Sequence, residues 1–246
     1  MDQETSRRST AVSATDPWVR RLLVAVLVTL VLVLTAVVYM VYTGVLTAQA
    51  PRTLAEKQTA MLDQAFKATP DDPVIVADYM RALIAVERYA NARSVLKTYR
   101  SGETAAAAVV TVEEARLLDA TGDSEEALKV LDTAADEARA QKESIIQGQL
   151  KRGITAPVSA PVLVDALLLK VEILQRDERL EEALSALDEA LEEQPTMADV
   201  FSWRGDINAS LGRVDEARAD YEKALGMIPD YQPALDGLSA LEGGGL

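Results

Sequence analysis

Adjacent glutamates are the side chains whose type and spacing first suggest acid–base chemistry in this sequence. They occur as Glu125-Glu126, Glu181-Glu182 and Glu192-Glu193. Two carboxyl groups can act as general acid and general base only if both reach the same substrate. Neighbouring residues on a helix point in different directions, so we interpret these pairs as parts of a solvated helix face.

The residue types that the chain lacks exclude most other site chemistry. The 246 residues include no histidine and no cysteine, and the formal net charge is −14. These absences exclude Ser-His and Cys-His nucleophile pairs, thiolate redox sites and zinc sites built from the usual ligands. Carboxylates could hold calcium or magnesium, but no EF-hand run is present. We therefore predict a non-enzymatic protein without catalytic residues, cofactor or metal. Its acidic charge should repel nucleic acid.

The composition predicts helices. Apolar residues make up 49% of the chain but aromatic residues only 4%. Alanine, leucine and glutamate are abundant, and all three are strong helix formers. A β-rich protein would contain more β-branched and aromatic residues throughout. The fold class expected from composition is therefore all-α.

Residues 22–43 form an uncharged, apolar segment that predicts a transmembrane helix. At about 1.5 Å per residue the segment spans roughly 33 Å, which is enough to cross the hydrocarbon core of a bilayer. Arg20 and Arg21 precede it, and Trp18, Tyr39 and Tyr42 lie where interfacial aromatic residues are usually found. We expect the lipid bilayer to be one partner of the chain, through residues 22–43.

A cleaved signal peptide is the main alternative for this segment. Ala48-Gln49-Ala50 resembles a cleavage site. The apolar segment is longer than the roughly 7–15 residues of a signal peptide, however, and Pro51 would follow the cleaved bond. We therefore favour an uncleaved signal anchor.

The basic residues beside the segment predict its orientation. Residues 1–21 contain four arginines, whereas Arg52 and Lys57 are the basic residues in the twenty that follow the segment. Because positive charge is retained in the cytoplasm, we expect a cytoplasmic tail at 1–21 and an extracytoplasmic C-terminal domain. The predicted localisation is the cell membrane, with a single pass.

A 34-residue repeat organises the C-terminal half of the sequence. Residues 179–195 align with residues 213–229, and the small, large and helix-breaking residues stay in register. The aligned pairs are Leu180/Val214, Ala183/Ala217, Leu187/Tyr221, Ala190/Ala224, Leu191/Leu225 and Pro195/Pro229. A fixed period of this length is typical of stacked helical hairpins. We expect the small alanines to let the paired helices approach closely.

This pattern resembles the tetratricopeptide repeat (TPR). Over residues 198–231 the matching residues are Phe201, Gly205, Gly212, Val214, Ala217, Tyr221, Ala224 and Pro229. Over residues 164–197 they are Leu167, Leu174, Leu180, Ala183, Leu187, Ala190 and Pro195. Arg204, Asn208, Val171 and Glu178 depart from the family pattern, the last two where glycine is usual. A third copy is placed at about 108–141 by Gly122, Ala127, Leu131 and Ala134, and a weaker fourth at 73–106 by Tyr89, Ala92 and Leu96.

The resulting organisation is a single N-terminal transmembrane helix followed by an α-solenoid of about four TPR-like hairpins. A juxtamembrane connector occupies 44–72, with a lone second helix at 53–69 that ends at Pro70. Repeats 1 and 2 occupy 73–141, an insertion or linker 142–163, and repeats 3 and 4 occupy 164–231. We expect the helix of repeat 2 to continue into the insertion. Residues 232–246 form a capping helix and a flexible tail.

The TPR resemblance implies that the first helices of the repeats line a groove for a protein partner. Carried over by repeat position, the candidate groove residues are Arg81, Arg116, Asp119, Asp165, Leu168, Glu172, Gln175, Asp199, Ser202 and Asp206. The set becomes more acidic along the chain, which favours a basic or amphipathic segment as ligand. The alternative interpretation is that these are ordinary solvated helix positions. Trp203 is expected to pack, and the glycosylation sequon at Asn208 is expected to be fortuitous because it lies within a helix.

Two functions remain at this point. One is a membrane-tethered scaffold that docks protein partners at the outer face of the membrane, for example in the assembly or chaperoning of envelope proteins. The alternative is a structural accessory subunit of a larger membrane complex. The spacing of Ala25 and Thr29, typical of helix–helix contacts in membranes, is a cue for the second.

Overall fold

A computed structural model of the chain describes residues 17–42, 53–102 and 107–243. The chain divides into two compact units, residues 1–52 and residues 53–246. The described residues form eleven helices and no strand. The expectation of an all-α chain is thus confirmed over the described residues.

The described part of the first unit is the helix α1, Pro17–Tyr42. Its described apolar side chains are exposed, with Leu27 and Leu30 each at 64%. Over the described residues of the whole chain, no helix meets the combined length and hydropathy required for a membrane span. The predicted transmembrane segment 22–43 lies partly outside these residues, since residue 43 and the side chains of residues 22, 23 and 40–42 are not described.

The second unit is a succession of ten helices. They are α2 (Leu54–Ala68), α3 (Pro73–Ala85), α4 (Tyr89–Arg100), α5 (Ala108–Ala120), α6 (Ser124–Lys151), α7 (Pro161–Arg176), α8 (Leu180–Glu193), α9 (Ala198–Ser210), α10 (Val214–Met227) and α11 (Gln232–Glu242). The hairpins α3–α4, α5–α6, α7–α8 and α9–α10 pack on one another in chain order, with α2 before the first and α11 after the last. This is the TPR-like solenoid that the repeats predict.

The first two helices in chain order in this unit, α2 and α3, begin at capping residues. At α2 the Glu56 amide donates to the Thr53 hydroxyl at 3.1 Å, and the Thr53 amide donates to the Glu56 carboxylate at 3.2 Å. This reciprocal pair satisfies two backbone donors at the exposed start of the helix. At α3 the Asp72 carboxylate accepts from the amides of Val74 and Ile75, and Pro73 follows the cap.

The turn inside each hairpin has the same left-handed backbone conformation. Gly122 and Gly212 occupy it in the second and fourth hairpins, with φ of 91° and 73°. Glu87 and Glu178 occupy it in the first and third, each with φ of 59°. In all four turns the next amide donates back to a carbonyl near the end of the first helix, for example Arg213 to Asn208 at 2.9 Å. The recurrence shows that the hairpin is retained where the TPR glycine is not.

Small residues allow the close packing of the hairpins. The alanines at the repeat positions have no exposed surface: they are Ala92, Ala127, Ala134, Ala183, Ala190, Ala217 and Ala224. The apolar core consists of two clusters, one centred on α3 and α4 and the other running from α5 to α11. The expectation that these alanines let the paired helices approach closely is confirmed.

The helix of repeat 2 continues well beyond its own hairpin. α6 is 28 residues long, twice the length of α8. Its extension is held to α8 by Lys142, which donates to Glu193 at 2.7 Å, and by Arg139, which donates to Glu189 at 3.0 Å through Nε. Residues 154–160 then form no regular element before α7 begins at Pro161. The 142–163 segment therefore contains the last ten residues of α6, a short irregular connection and the first three residues of α7.

Candidate partner-binding groove

The candidate groove is the surface formed by the first helices of the hairpins, α3, α5, α7 and α9. α3 packs against α5, and α5 packs against α7. α7 is joined to α9 by a hydrogen bond from the Trp203 indole N–H to the Gln175 carbonyl oxygen at 2.7 Å. Each pair of successive first helices is also linked by polar side chains, which fixes their spacing along the groove.

Between α3 and α5 the link is a fully buried carboxylate. Glu113 has no exposed surface, and Arg81 donates to its Oε1 from Nε at 2.9 Å and from Nη2 at 2.6 Å. Arg116 donates from Nε to the other oxygen at 3.2 Å. A buried carboxylate requires such charged partners. Burial alone would lower the pKa of Arg81, but its hydrogen bonds with Glu113 and the nearby acids raise it instead.

Between α5 and α7 the link is an ion pair of Asp119 with Arg176. Arg176 donates to both carboxylate oxygens of Asp119, with an Nη1–Oδ2 distance of 3.0 Å. The Ser124 hydroxyl also donates to Asp119 at 3.0 Å. The hydrogen bond from Arg176 holds the pKa of Asp119 below its ordinary value. The predicted groove residues Arg81 and Asp119 are therefore engaged in joining first helices, whereas Arg116 pairs with Glu113 within α5.

The predicted acidic residues of α7 and α9 have a different environment. Asp165, Glu172 and Asp199 are exposed, and none makes a hydrogen bond or ion pair with another described residue. Asp165 lies close enough to Arg81 for its charge to raise the pKa of that guanidinium. The α7–α9 part of the groove thus presents three carboxylates that the described chain does not neutralise by direct contact.

Leu168, Gln175 and Ser202 complete the predicted set on these helices, and they lie in three environments. Leu168 is half-buried against the core, and Gln175 is exposed beside Trp203. Ser202 is only 2% exposed, and its hydroxyl has no hydrogen-bond partner among the described residues. Because α9 packs against α8, α10 and α11, Ser202 lies within the core and does not line the groove surface.

Asp206 lies at the end of the groove and is held by the second helix of its own hairpin. The Tyr221 hydroxyl donates to Asp206 Oδ1 at 2.8 Å. Burial raises the pKa of Asp206, and the hydrogen bond from Tyr221 partly opposes this effect. Burial and the neighbouring Asp206 also raise the pKa of Tyr221. This carboxylate has a partner inside the fold, unlike those of Asp165, Glu172 and Asp199.

The two further residues considered from the sequence both belong to the packing. Trp203 is half-buried against the core, as expected, while its indole N–H reaches the groove side at Gln175. Asn208 is 7% exposed and donates to the buried Asp220 at 3.1 Å. The sequon residue thus lies inside the α9–α10 hairpin.

Arg204 forms a second buried ion pair, which the repeat pattern does not predict. It stands where the TPR pattern has leucine, and it donates to Asp220 at 3.0 and 2.5 Å and to Asp188 at 2.5 Å. Asp220 is 4% exposed. The departure from the family pattern is therefore compensated by a carboxylate on the partner helix.

Three of the six adjacent glutamates, Glu125, Glu181 and Glu193, have a basic partner in a neighbouring repeat. Arg179 donates to Glu125 at 3.3 Å and to Glu182 at 2.6 Å, and Arg213 lies 3.6 Å from Glu181. Within the described residues, no cluster of three or more acidic side chains is arranged to hold a metal ion. Of the carboxylates considered for acid–base work, Glu125, Glu181 and Glu193 thus join neighbouring repeats, whereas Glu126 and Glu182 each pair with a basic residue three positions away.

Comparison with known proteins identifies the repeat. Residues 168–231 match the family model described as tetratricopeptide repeat. These residues extend from α7 through α10. The match supports the TPR resemblance, and repeats of this kind in general mediate protein–protein interactions and are typically not enzymes.

Solved structures with the same fold share little sequence with the chain. TTC0263, a thermophilic TPR protein in Thermus thermophilus, is 20% identical over 74% of this chain and 88% of that one, with a TM-score of 0.51. MamA is 14% identical over 72% of this chain and 95% of that one, with a TM-score of 0.50. YrrB, a TPR protein with an unusual peptide-binding site, is 19% identical over 75% and 84%, with a TM-score of 0.49. No curated protein sequence matches the chain significantly.

The fold is that of TPR proteins. The TTC0263 and MamA similarities establish this architecture and nothing about ligands, because identity is low.

Proposed function

We propose that this protein is a membrane-tethered TPR scaffold that docks a basic or amphipathic segment of a protein partner. The binding surface in this proposal is the α7–α9 part of the groove. The observation that carries it is the exposure of Asp165, Glu172 and Asp199 without a neutralising contact in the described chain.

Charge and apolar surface together favour this class of ligand. Carboxylates on one surface attract a cationic segment, and the attraction is strongest at low ionic strength. Leu168 and Trp203 lie half-buried on the same two helices and supply apolar contact area. An amphipathic helix with a basic face could contact both features at once.

A peptide-binding experiment on the full-length protein tests the groove. The probe is a synthetic amphipathic lysine–leucine helix, with a glutamate–leucine helix as the acidic counterpart. Trp203 reports on the site by fluorescence in a Trp18→Phe background, since the chain has two tryptophans. We expect the basic peptide to change Trp203 emission and to bind more weakly at about 300 mM than at about 50 mM salt.

Matched charge variants distinguish the contribution of the groove acids to peptide binding from that of the overall negative charge of the protein. The triple variant Asp165→Asn, Glu172→Gln and Asp199→Asn should weaken binding of the basic peptide by about tenfold or more, the equivalent of about 1.4 kcal/mol. The control changes three exposed acids on second helices by the same charge: Glu192→Gln, Glu216→Gln and Glu222→Gln. Equal weakening by the two triples would contradict a groove site.

The membrane tether is the second part of the proposal. The uncharged sequence of residues 22–43 and the exposed apolar surface of α1 support it. In the proposed topology the N-terminus is cytoplasmic and the repeats are extracytoplasmic, where they would assist the assembly or chaperoning of envelope proteins. A periplasm-dependent phosphatase fused after residue 246 should be active, and the same fusion lacking residues 1–43 should be inactive and extractable without detergent. Activity of the truncated fusion would contradict the tether.

An accessory subunit of a membrane complex is the competing function. Its support is the Ala25–Thr29 spacing on α1. Replacing residues 24–39 by leucine keeps a membrane anchor but removes a specific helix–helix contact. Retained function with the leucine segment favours the scaffold, whereas lost function with normal membrane insertion favours the subunit.

A further inference from the structure

Over the described residues of the second unit, one helix without a hairpin partner precedes the four hairpins and another follows them. The preceding helix, α2, is a second helix, whereas the following helix, α11, is a first helix. α2 ends at Pro70, as the second helices α8 and α10 end at Pro195 and Pro229. Among the described residues of the second unit, α2 is a second helix without a first helix. α11 follows α10 in the place of a first helix, but the described chain supplies no second helix after it.

The exposure of Leu235 marks the missing partner of α11. Leu235 lies 34 residues after Phe201, at the point where a first helix packs against its own second helix. The equivalent residues of three complete hairpins, Val76, Leu167 and Phe201, are 0%, 3% and 7% exposed. Leu235 is 40% exposed. The apolar face of α11 is therefore incompletely covered.

The exposure of Met61 marks the missing partner of α2. Met61 lies nine residues before Pro70, and its equivalents before Pro195 and Pro229 are Ala186 and Asp220. These two are 5% and 4% exposed because a first helix covers them, whereas Met61 is 72% exposed. α2 therefore presents to solvent the face that a first helix normally covers.

A cleft at α2 has the position of the absent first helix. It lies between α2 and α3, has a volume of about 480 Å³, and is lined mainly by small and apolar side chains. Those on α2 include Ala55, Met61 and Leu62, and those on α3 include Ala82 and Ala85. The polar lining residues are Gln58, Asp78 and Arg81. In the rest of the array a first helix packs against both its own second helix and the following first helix, as α5 does with α6 and α7. The cleft is thus the place that a first helix would fill.

We propose that α11 of one copy of this protein docks into the cleft between α2 and α3 of a second copy. The docked α11 would act as the first helix of a hairpin whose second helix is the α2 of the other copy. The contact is head-to-tail, so each added copy again exposes one α11 and one cleft. Such an interface has no two-fold symmetry, and it builds an open chain of copies, or a ring if the rotation between successive copies closes.

The charges at the two ends favour this pairing over pairing of like ends. α11 carries Asp236 and Glu242 and no basic residue. Lys57 on α2 is exposed and has no ion pair among the described residues. Two α11 helices would oppose acid to acid. In the cleft, α11 would instead face one acid and one base, Asp78 and Arg81, with the unpaired Lys57 also on α2. Because the whole protein carries −14, association of copies should strengthen with salt as long-range repulsion is screened.

Crosslinking between single-cysteine variants tests the head-to-tail contact. The natural chain contains no cysteine, so Met61→Cys and Leu235→Cys each introduce one reactive group at an exposed position. The two full-length variants are treated with a short bismaleimide, separately and mixed. We expect a crosslinked dimer in the mixture that neither variant gives alone, and a ladder of multimers from the double variant. A dimer of Met61→Cys alone would instead show that α2 pairs with itself and would overturn the proposal.

Light scattering on the cysteine-free protein supplies the second measurement. The mean mass of the full-length protein should rise with concentration and with salt, and Met61→Glu should abolish the rise. Met227→Glu is the control, because Met227 is also an exposed methionine, at 38%, but lies on α10 outside the cleft. A monomer at all concentrations, together with no mixed crosslink, would overturn the proposal. The result is independent of peptide binding at the α7–α9 groove, whose acids lie outside the cleft.

Discussion

The aromatic ring of Tyr221 lies against Gly205, so closely that a Cβ added at Gly205 would lie 2.7 Å from the ring. Gly237 on α11 approaches the same ring even more closely. A first helix, its second helix and the terminal helix thus meet at one side chain, whose hydroxyl donates to Asp206. The absence of a Cβ at both glycines makes this three-helix junction possible.

Alanine at either glycine should therefore destabilise the C-terminal end of the array. We expect Gly205→Ala and Gly237→Ala each to lower the free energy of unfolding by about 1–3 kcal/mol, because the ring has to move in a packed core. Chemical denaturation of the full-length protein measures the change. Gly226→Ala on α10 is the control, since nothing lies within 4 Å of its added Cβ. That variant should be neutral or more stable by up to about 1 kcal/mol. Equal effects at all three positions would contradict the steric explanation.

The left-handed turns predict stabilising substitutions. Glu87 and Glu178 hold a backbone conformation that costs a non-glycine residue about 1 kcal/mol. Glu178→Gly should therefore raise the free energy of unfolding by about 0.5–1 kcal/mol, and Glu87→Gly should act similarly. The reverse change in an equivalent turn, Gly212→Ala, should lower it by about 1 kcal/mol. Thermal unfolding of the three variants provides the comparison, and a loss of stability in Glu178→Gly would show that its conformation is not strained.

The buried carboxylate between α3 and α5 should be far more sensitive than exposed ones. Glu113→Gln removes the buried carboxylate that Arg81 and Arg116 share, and we expect a loss of about 1.5–3 kcal/mol. Glu126→Gln, which breaks an exposed pair with Lys129 within one helix turn, should change the free energy of unfolding much less, because solvent screens this pair. Urea denaturation distinguishes these values. Similar small losses for both variants would mean that the Arg81–Glu113 contact does not hold the first two hairpins together.

The buried phenol of Tyr79 should make the first hairpin sensitive to alkaline pH. Burial raises the pKa of Tyr79 from 10.0 to about 12, and its hydrogen bond to Asp63 at 3.0 Å acts in the same direction. The folded protein therefore retains a proton that the unfolded chain loses between these two values. Stability is unaffected by this group below pH 10 and falls as the pH rises towards 12.

Tyr79→Phe removes this proton and tests the assignment. The variant should be about 1 kcal/mol less stable than the natural protein near pH 9, because the hydrogen bond to Asp63 is lost. Near pH 11 the difference should shrink, since only the natural protein then loses stability through this ionisation. Tyr89→Phe is the control, because Tyr89 is half-buried on the same hairpin and its hydroxyl makes no hydrogen bond to an acid among the described residues. A difference that stays constant with pH would contradict the assignment.

The regular part of the fold follows directly from the sequence because its determinants are local and periodic. The alanines at 34-residue spacing have no exposed surface, and Pro70 follows α2 as expected. The continuation of the second repeat into the insertion also follows from its helix-forming composition, and α6 does extend to Lys151. These features depend on contacts within one hairpin or with the next.

The polar contacts between repeats could not be predicted in the same way. Glu113 is one of many glutamates in an acidic chain, and only the three-dimensional packing buries it between Arg81 and Arg116. One signal was present in the sequence: arginine recurs at the same groove position of the first two repeats, and Glu113 lies one helix turn before the second arginine. Ser202 shows the opposite difficulty, because a position assigned to the groove by the family pattern lies in the core when α11 covers the hairpin.

The end of the α6 extension is a suitable site for inserting a tag or a domain. Lys142 and Arg139 brace it against α8, and the hairpins on both sides keep their mutual packing although the chain between them departs from the repeat length. Residues 152–157, at the tip beyond this brace, are all exposed to solvent. A fluorescent domain or an affinity tag inserted there would project from the flank of the molecule, leaving both chain termini native.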